Sequence, residues 1–192
     1  MRRVTSIVTG TLLLAALGGL QRLVPDADRI YEPIASTGGL RQDVATQPYT
    51  LRVDGVEIGR RLMITNTSST PARDTRGLWV VLRTTATATK ERVGLGKAVL
   101  RAQDGTEYGA TDRFFGFANS NLEAGIPSSG PLAFELPPAA LPGAVLVITA
   151  PPYRGGIQRL SGALGPAVHV DLGITAAQAA APAPTVNVEQ VS

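Results

Sequence analysis

Hydrolysis through a hydroxyl nucleophile needs a base, and the chain offers one histidine, His169, and no cysteine. His169 stands between Val168 and Val170. Side chains alternate faces along a strand, so an imidazole between two valines points away from the core they enter, a poor place for a general base. One histidine without cysteine also cannot supply the usual zinc ligand set. Asp104 with Glu107, and Asp112 with Glu123, are the remaining oxygen-ligand candidates, but they lack the spacing of a calcium loop. Asp104-Gly105 is better explained as a hairpin turn, whose central residues want positive φ. Gly94-Leu95-Gly96-Lys97 has the glycines of a phosphate loop without the following Gly-Lys-Ser/Thr or a helix, and reads as a turn entering a strand. Asn66-Thr67-Ser68 is a formal glycosylation sequon and equally a turn of Asn, Thr and Ser.

The unusual concentration is Asp112 to Asn121, where three of the four phenylalanines fall within four positions. Consecutive aromatics in a loop cannot all point inward, so Arg113, Phe114, Phe115 and Phe117 form the candidate partner-binding patch. The competing reading is that they plug one end of the domain. Trp79 lies in a continuously apolar run and is expected as a core anchor between sheets.

The elements that position these residues read as strands. Short β-prone runs separated by turn residues cover 49–53, 57–66, 78–87, 97–102, 106–110, 132–136, 144–150 and 167–172. Leu78 to Arg83 suits a central strand, and Val168 to Leu172 alternates as a half-buried strand does. Such strands without an amphipathic helix point to an all-β fold, an immunoglobulin-like β-sandwich over 48–174, preceded by an N-terminal hydrophobic helix. Residues 25–47 lack a sustained period and are expected as a juxtamembrane linker. Residues 175–192 form an Ala/Pro/Gln tract that could begin as a helix at Thr175 and is otherwise expected as a disordered tail.

Charge sharpens the location. The chain has 18 Lys+Arg against 15 Asp+Glu over 192 residues, with a pI near 9.7. Arg2, Arg3 and Arg22 precede Pro25 without any acid, which leaves 15 of each sign from Pro25 onward. The electrostatic footprint of a nucleic-acid binder is therefore missing. Arg2-Arg3 before the uncharged stretch Val4 to Leu20 reads as a membrane-targeting segment in 1–24 that places the downstream residues outside the cytoplasm. As a helix the stretch reaches roughly 25 Å, a little short of the hydrocarbon core of roughly 30 Å. That length suits a signal peptide, whereas the lack of a clear Ala-x-Ala site and the interfacial Gln21-Arg22 favour a retained anchor. The localisation expected is single-pass at the cell membrane, or secreted if the segment is cleaved.

Several stretches carry a family resemblance: Thr75-Arg76-Gly77-Leu78-Trp79-Val80-Val81, then Ala98-Val99-Leu100 with Asp104-Gly105 and Tyr108, then Arg113, then Leu122-Glu123-Ala124-Gly125-Ile126-Pro127 followed by Gly130 and Leu132-Ala133-Phe134-Glu135-Leu136-Pro137. Together, over roughly Tyr49 to Ile174, they resemble the immunoglobulin-like extracellular domain catalogued as domain of unknown function 4352. The resemblance implies a β-sandwich of the immunoprotective extracellular protein type, found in secreted or membrane-anchored proteins of actinobacteria and related bacteria. It implies no established enzymatic activity and no catalytic residues. The family usually has proline where this chain has Ala124.

The functional expectation is a noncatalytic extracytoplasmic interaction or accessory module without a cofactor, in contact with the membrane through its N-terminal segment and with an envelope protein partner. The competing readings are a carboxylate-dependent hydrolase of envelope or carbohydrate substrates, which needs two acids across a cleft, and a binder of a small hydrophobic ligand between the sheets. Leu132, Phe134 and Leu136 are expected to alternate into the core while Ala133 and Glu135 face out. Phe134→Ala should then cost about 3–5 kcal/mol in a denaturant melt. Glu135→Ala should be nearly silent, and equal effects would remove the assignment.

Overall fold

The computed structural model describes residues 34–65, 72–112, 116–118, 120–149 and 166–189, all within one compact unit, Pro33–Ser192. The strands are β1 (Ile34–Gly39), β2 (Val44–Ala45), β3 (Tyr49–Thr65), β4 (Ala72–Ala88), β5 (Val93–Gly94), β6 (Ala98–Arg101), β7 (Glu107–Gly109), β8 (Asn121–Leu122), β9 (Ser128–Leu136), β10 (Val145–Thr149), β11 (Pro166–Asp171) and β12 (Ala183–Glu189), with a short 3-10 turn at Pro138–Ala140 and helix α1 (Ala176–Ala180). The first sheet runs β1-β11-β10-β6-β7 and the second β12-β3-β4-β9, with β2 paired to β3 and a separate β5-β8 pair. The inner faces of the two sheets share one core, from Leu51, Val80, Leu82, Leu132 and Phe134 on one side to Leu100, Leu146, Val168 and Val170 on the other. The chain is an all-β sandwich. The expected N-terminal hydrophobic helix at 1–24 lies outside the described residues. No helix among the described residues is long and apolar enough to cross a membrane.

β3 is one long strand where the sequence suggested two. Its register with β4 slips between Val53 and Gly55 and again between Gly59 and Arg61. An extra residue in one strand swaps which positions face which side. Tyr49, Leu51 and Val53 therefore enter the core as odd positions. Beyond the bulged Asp54, the even positions Val56 and Ile58 pack against it instead. Beyond Arg60 the faces swap once more, and Leu62 and Ile64 join a second buried cluster with Trp79, Val81, Ala133, Val186 and Val188. That cluster sits on the outer face of the second sheet, since Leu78, Val80 and Leu82 fill the inner one.

Trp79 is thus buried, at 1% exposure, but not between the sheets as expected. Its Nε1 donates to the Arg73 carbonyl (3.0 Å), and strand β12 with the far half of β3 supplies the cover. A continuously apolar strand has to bury both faces, and a second cluster satisfies that demand as well as a second sheet would.

Two expected boundaries are corrected by strand pairing. Residues 34–39, placed in the linker 25–47, form β1, which runs parallel to β11 from Ile34↔Pro166 to Gly39↔Asp171. The stretch 175–192, expected as a disordered tail, holds α1 and β12. α1 starts at Thr175, whose hydroxyl accepts from the Gln178 N–H while the Gln178 side chain accepts from the Thr175 N–H, a reciprocal capping box. β12 runs parallel to β3 from Ala183↔Gly59 to Glu189↔Thr65, burying Val186 and Val188 between exposed Thr185, Asn187 and Glu189. Pro184 is level with Arg60, between paired positions. Edge strands tolerate such a residue without an N–H.

The expected hairpin joins β6 to β7, with a different turn. The Gly105 N–H donates to the Ala102 carbonyl (3.0 Å) and the Ala102 N–H to the Thr106 carbonyl (2.9 Å). Gly105 alone takes positive φ, at 85°. The loop is longer than two residues, so one left-handed glycine closes it instead of two residues at positive φ.

Tyr49 is fully buried in the main core, and its hydroxyl donates to the Ile148 carbonyl (3.3 Å) across the sandwich. Burial lifts its phenol above the ordinary value of 10.0. A group whose pKa is raised by folding contributes stability that is complete below the unfolded value and is lost as pH rises toward the folded one. Melting temperature should therefore fall from about pH 10 upward. Tyr49→Phe should cost about 1 kcal/mol at pH 7 through the lost hydrogen bond and should flatten the alkaline fall. A variant that falls as steeply as the wild type would assign the alkaline loss to other groups.

Candidate functional site

The aromatic loop is built where the chain passes from the first sheet to the second. After β7, Ala110 bridges Phe134 of β9, and the Thr111 N–H donates to the Ala133 carbonyl (2.8 Å). The chain is fixed to β9 again at Phe117, whose N–H donates to the Pro131 carbonyl (2.8 Å). The two tethers are two residues apart on one strand, about 7 Å. Arg113, Phe114 and Phe115 fall between them in sequence and lie outside the described residues.

Phe117 is corrected from a partner-binding candidate to a core residue. It is 2% exposed and belongs to the cluster between the sheets. Its seat is made by Gly130, where an added Cβ would come within 2.8 Å of the ring and 2.9 Å of the Phe117 Cβ. The Ser120 N–H then donates to the Phe117 carbonyl (3.3 Å), and the chain enters β8. β8 pairs with β5 through Val93↔Leu122 and Gly94↔Asn121.

That pairing also accounts for Gly94-Leu95-Gly96-Lys97. The Leu95 N–H donates to the Ser120 carbonyl (2.8 Å) and the Gly96 N–H to the Thr149 carbonyl (2.9 Å). The donors a phosphate loop would present are committed to the fold, and Leu95 is buried. On the neighbouring turn, Gly125 at φ 72° donates its N–H to the Ala88 carbonyl (2.9 Å). Beside it Ile126 is 58% exposed, the one large hydrophobic exposed among the described residues.

The acids considered for chemistry hold turns and ion pairs. Asp104 Oδ1 accepts from the Thr106 N–H (2.9 Å), and this backbone hydrogen bond keeps its carboxyl below the ordinary range. Glu107 meets Arg101 at 3.1 Å and Lys97 at 3.8 Å. Glu123 pairs with Arg92 at 3.2 Å, and Asp112 is exposed. Among the described residues no group of three or more His, Asp or Glu is placed to hold a metal ion. His169 is half-buried on the outer face of the first sheet, opposite in direction to Val168 and Val170.

A polar ladder that sequence reasoning missed crosses the second sheet. Arg52 Nε donates to Asp54 Oδ1 (2.6 Å), Thr85 donates to Asp54 Oδ2 (2.6 Å), and Thr85 and Ser129 share a hydrogen bond of 2.9 Å. Partial burial pushes the Asp54 carboxyl up, but the bonds from Thr85 and Arg52 outweigh it and the net shift is downward. Thr84, the buried polar residue one position earlier, donates to the Gly130 carbonyl (2.7 Å). Arg52 lies opposite Thr85 in the β3–β4 ladder and Asp54 on the bulge bonds to both, a bulge that no local sequence signal marks.

No family model matches the chain, and no curated protein matches it. Among solved structures the chain is similar to an uncharacterized β-sandwich protein of Clostridium difficile 630, at 8% identity over 72% of this chain and 95% of that one, with a TM-score of 0.42. It is similar to the yjhA protein of Bacillus subtilis at 12% identity, over 69% of this chain and 99% of that one, with a TM-score of 0.46. It is also similar to the secreted protein MPT63 of Mycobacterium tuberculosis at 15% identity, over 70% of this chain and 95% of that one, with a TM-score of 0.44.

The contact of Phe117 with Gly130 involves the near end of the side chain, so neither partner can move aside cheaply. Gly130→Ala should destabilise by about 1–3 kcal/mol. Phe117→Leu in the same chain should recover part of that loss in thermal melts. An unchanged melting temperature for Gly130→Ala would show that the loop yields freely.

Proposed function

We propose that the chain is a noncatalytic, extracytoplasmic module of the cell envelope, of the immunoglobulin-like class that its strand residues resemble. In this reading the segment 1–24 holds it at the membrane, or is cleaved to release it, and Arg113, Phe114 and Phe115 bind an envelope protein. The observation that carries the reading is the pair of tethers on β9. Thr111 and Phe117 are fixed two strand residues apart, while the chain between them could span about 20 Å if extended. Two ends fixed so close together form a rigid base, the kind of scaffold on which binding residues are commonly carried. Phe117 belongs to that base, which leaves two phenylalanines and an arginine, residue types enriched at protein interfaces.

The polar groups support the absence of catalysis in the same reading. Asp43, Asp54, Glu57, Asp74, Glu107 and Glu123 each lie within ion-pair distance of Arg or Lys. These pairs are at least a third exposed at both partners, so they organise a surface and add little stability.

In-cell crosslinking followed by recovery of the full chain tests the loop. Phe114→Ser with Phe115→Ser, and separately Arg113→Glu, should lower recovery of the crosslinked partner by about tenfold, the loss of roughly 1.4 kcal/mol of binding, with melting temperature unchanged. Equal recovery from equally folded proteins would remove these residues from the interface. Phe117→Ser is unsuitable because it empties a core position.

A further inference from the structure

The seat of β12 is a built strand-acceptor site. Its floor is Trp79, Val81 and Ala133 on the outer face of the second sheet, its wall is Leu62 and Ile64 on the far half of β3, and its occupant supplies Val186 and Val188. The register is fixed by shape. An added Cβ on Gly59 would come within 2.8 Å of Val186 Cγ1, so the valine methyl fills the space that the glycine leaves. The Thr65 hydroxyl then donates to the Val188 carbonyl (3.1 Å). An arriving strand must place a valine at the first position and a second valine two residues on.

The occupant is held lightly from its own side. Between Thr175 and Thr185 only Ala179 is buried, and α1 is a single capped turn. Pro182 and Pro184 cannot donate hydrogen bonds that would fix this stretch to the sandwich. The main bonds of β12 are therefore those to its seat, and an identical strand from elsewhere would reproduce every one of them. Exchange of an identical element is a low-cost route to dimers for this reason.

We propose that this seat accepts residues 183–189 of a second copy of the chain, giving a reciprocally exchanged dimer in equilibrium with the closed monomer. A second copy is the occupant that carries the two valines in register, the polar outward residues and the proline level with Arg60. The proposal does not depend on the aromatic loop.

The absence of native cysteine makes the test clean. Asn187 lies opposite Met63 in the ladder, on neighbouring strands about 4.8 Å apart, a separation that a disulfide can bridge. The full chain carrying Met63→Cys and Asn187→Cys is equilibrated reduced over a range of concentrations, oxidised, and run on a denaturing gel without reductant. Exchange predicts disulfide-linked dimer whose fraction rises about tenfold as concentration is raised. A dimer made through any other surface would close the bond within each chain and run as monomer. A second variant, Arg61→Cys with Thr185→Cys, uses the pair two residues earlier in the same register should the first fail to fold. A control with Asn187→Cys and Glu107→Cys, which lie on different sheets, measures random linkage. Bonds within single chains at every concentration, or covalent dimer no greater than in the control, would overturn the proposal.

Discussion

Side chains alternate faces along a strand, and β3 breaks that alternation twice. The rest of the molecule depends on the two breaks. Without the first break Val56 and Ile58 would face outward, and with the first break alone Leu62 and Ile64 would face the main core, on the wrong side of Trp79. The Asp54 bulge keeps the strand's middle in the main core, and the irregularity at Arg60, opposite Thr75 to Leu78 of β4, turns its end toward the outer face. One strand thereby serves two cores, and the second sheet can afford apolar residues on both surfaces of β4.

That arrangement explains what could be read from the sequence and what could not. Strands β6, β7, β10 and β11 were legible because each satisfies its face within a few residues, as did the inward alternation of Leu132, Phe134 and Leu136. Burial of Trp79 was legible, but not its side, because a continuous apolar run such as Leu78 to Leu82 states only that both faces are covered. β1 and β12 were missed for a common reason. Ser, Thr, Gly and Ala dominate β1, and β12 is a short alternation behind two prolines in an alanine-rich tract; each becomes a strand only on a partner far away in the chain, at β11 and β3. In the candidate loop, the sequence announced a cluster of phenylalanines without distinguishing the one that faces Gly130. That distinction needed the neighbour, and Gly130 lies beyond β8.

The polar residues show a division of labour. Buried hydroxyls close gaps in the backbone pattern, as Thr84 does for Gly130 and Tyr49 for Ile148. Exposed carboxylates meet arginines across strands, as in Arg61 with Asp74 and Arg83 with Glu57. The hydrogen bond from Arg61 holds the Asp74 carboxyl below its ordinary range. These contacts align neighbouring strands more than they stabilise them.

The parallel pairing of β12 with β3 also sets an order of events during synthesis. A chain made from its N-terminus completes β3, β4 and β9 well before Ala183 exists. Throughout that interval Trp79, Val81 and Ala133 present an uncovered apolar surface, and the wall of Leu62 and Ile64 has no facing partner. Contacts this distant in sequence close slowly, and transiently open apolar faces are where nascent chains stick to one another. Among the described strands β12 is thus the one that ends this exposure, and the time it takes to arrive belongs to the folding problem as much as its two valines belong to the fold.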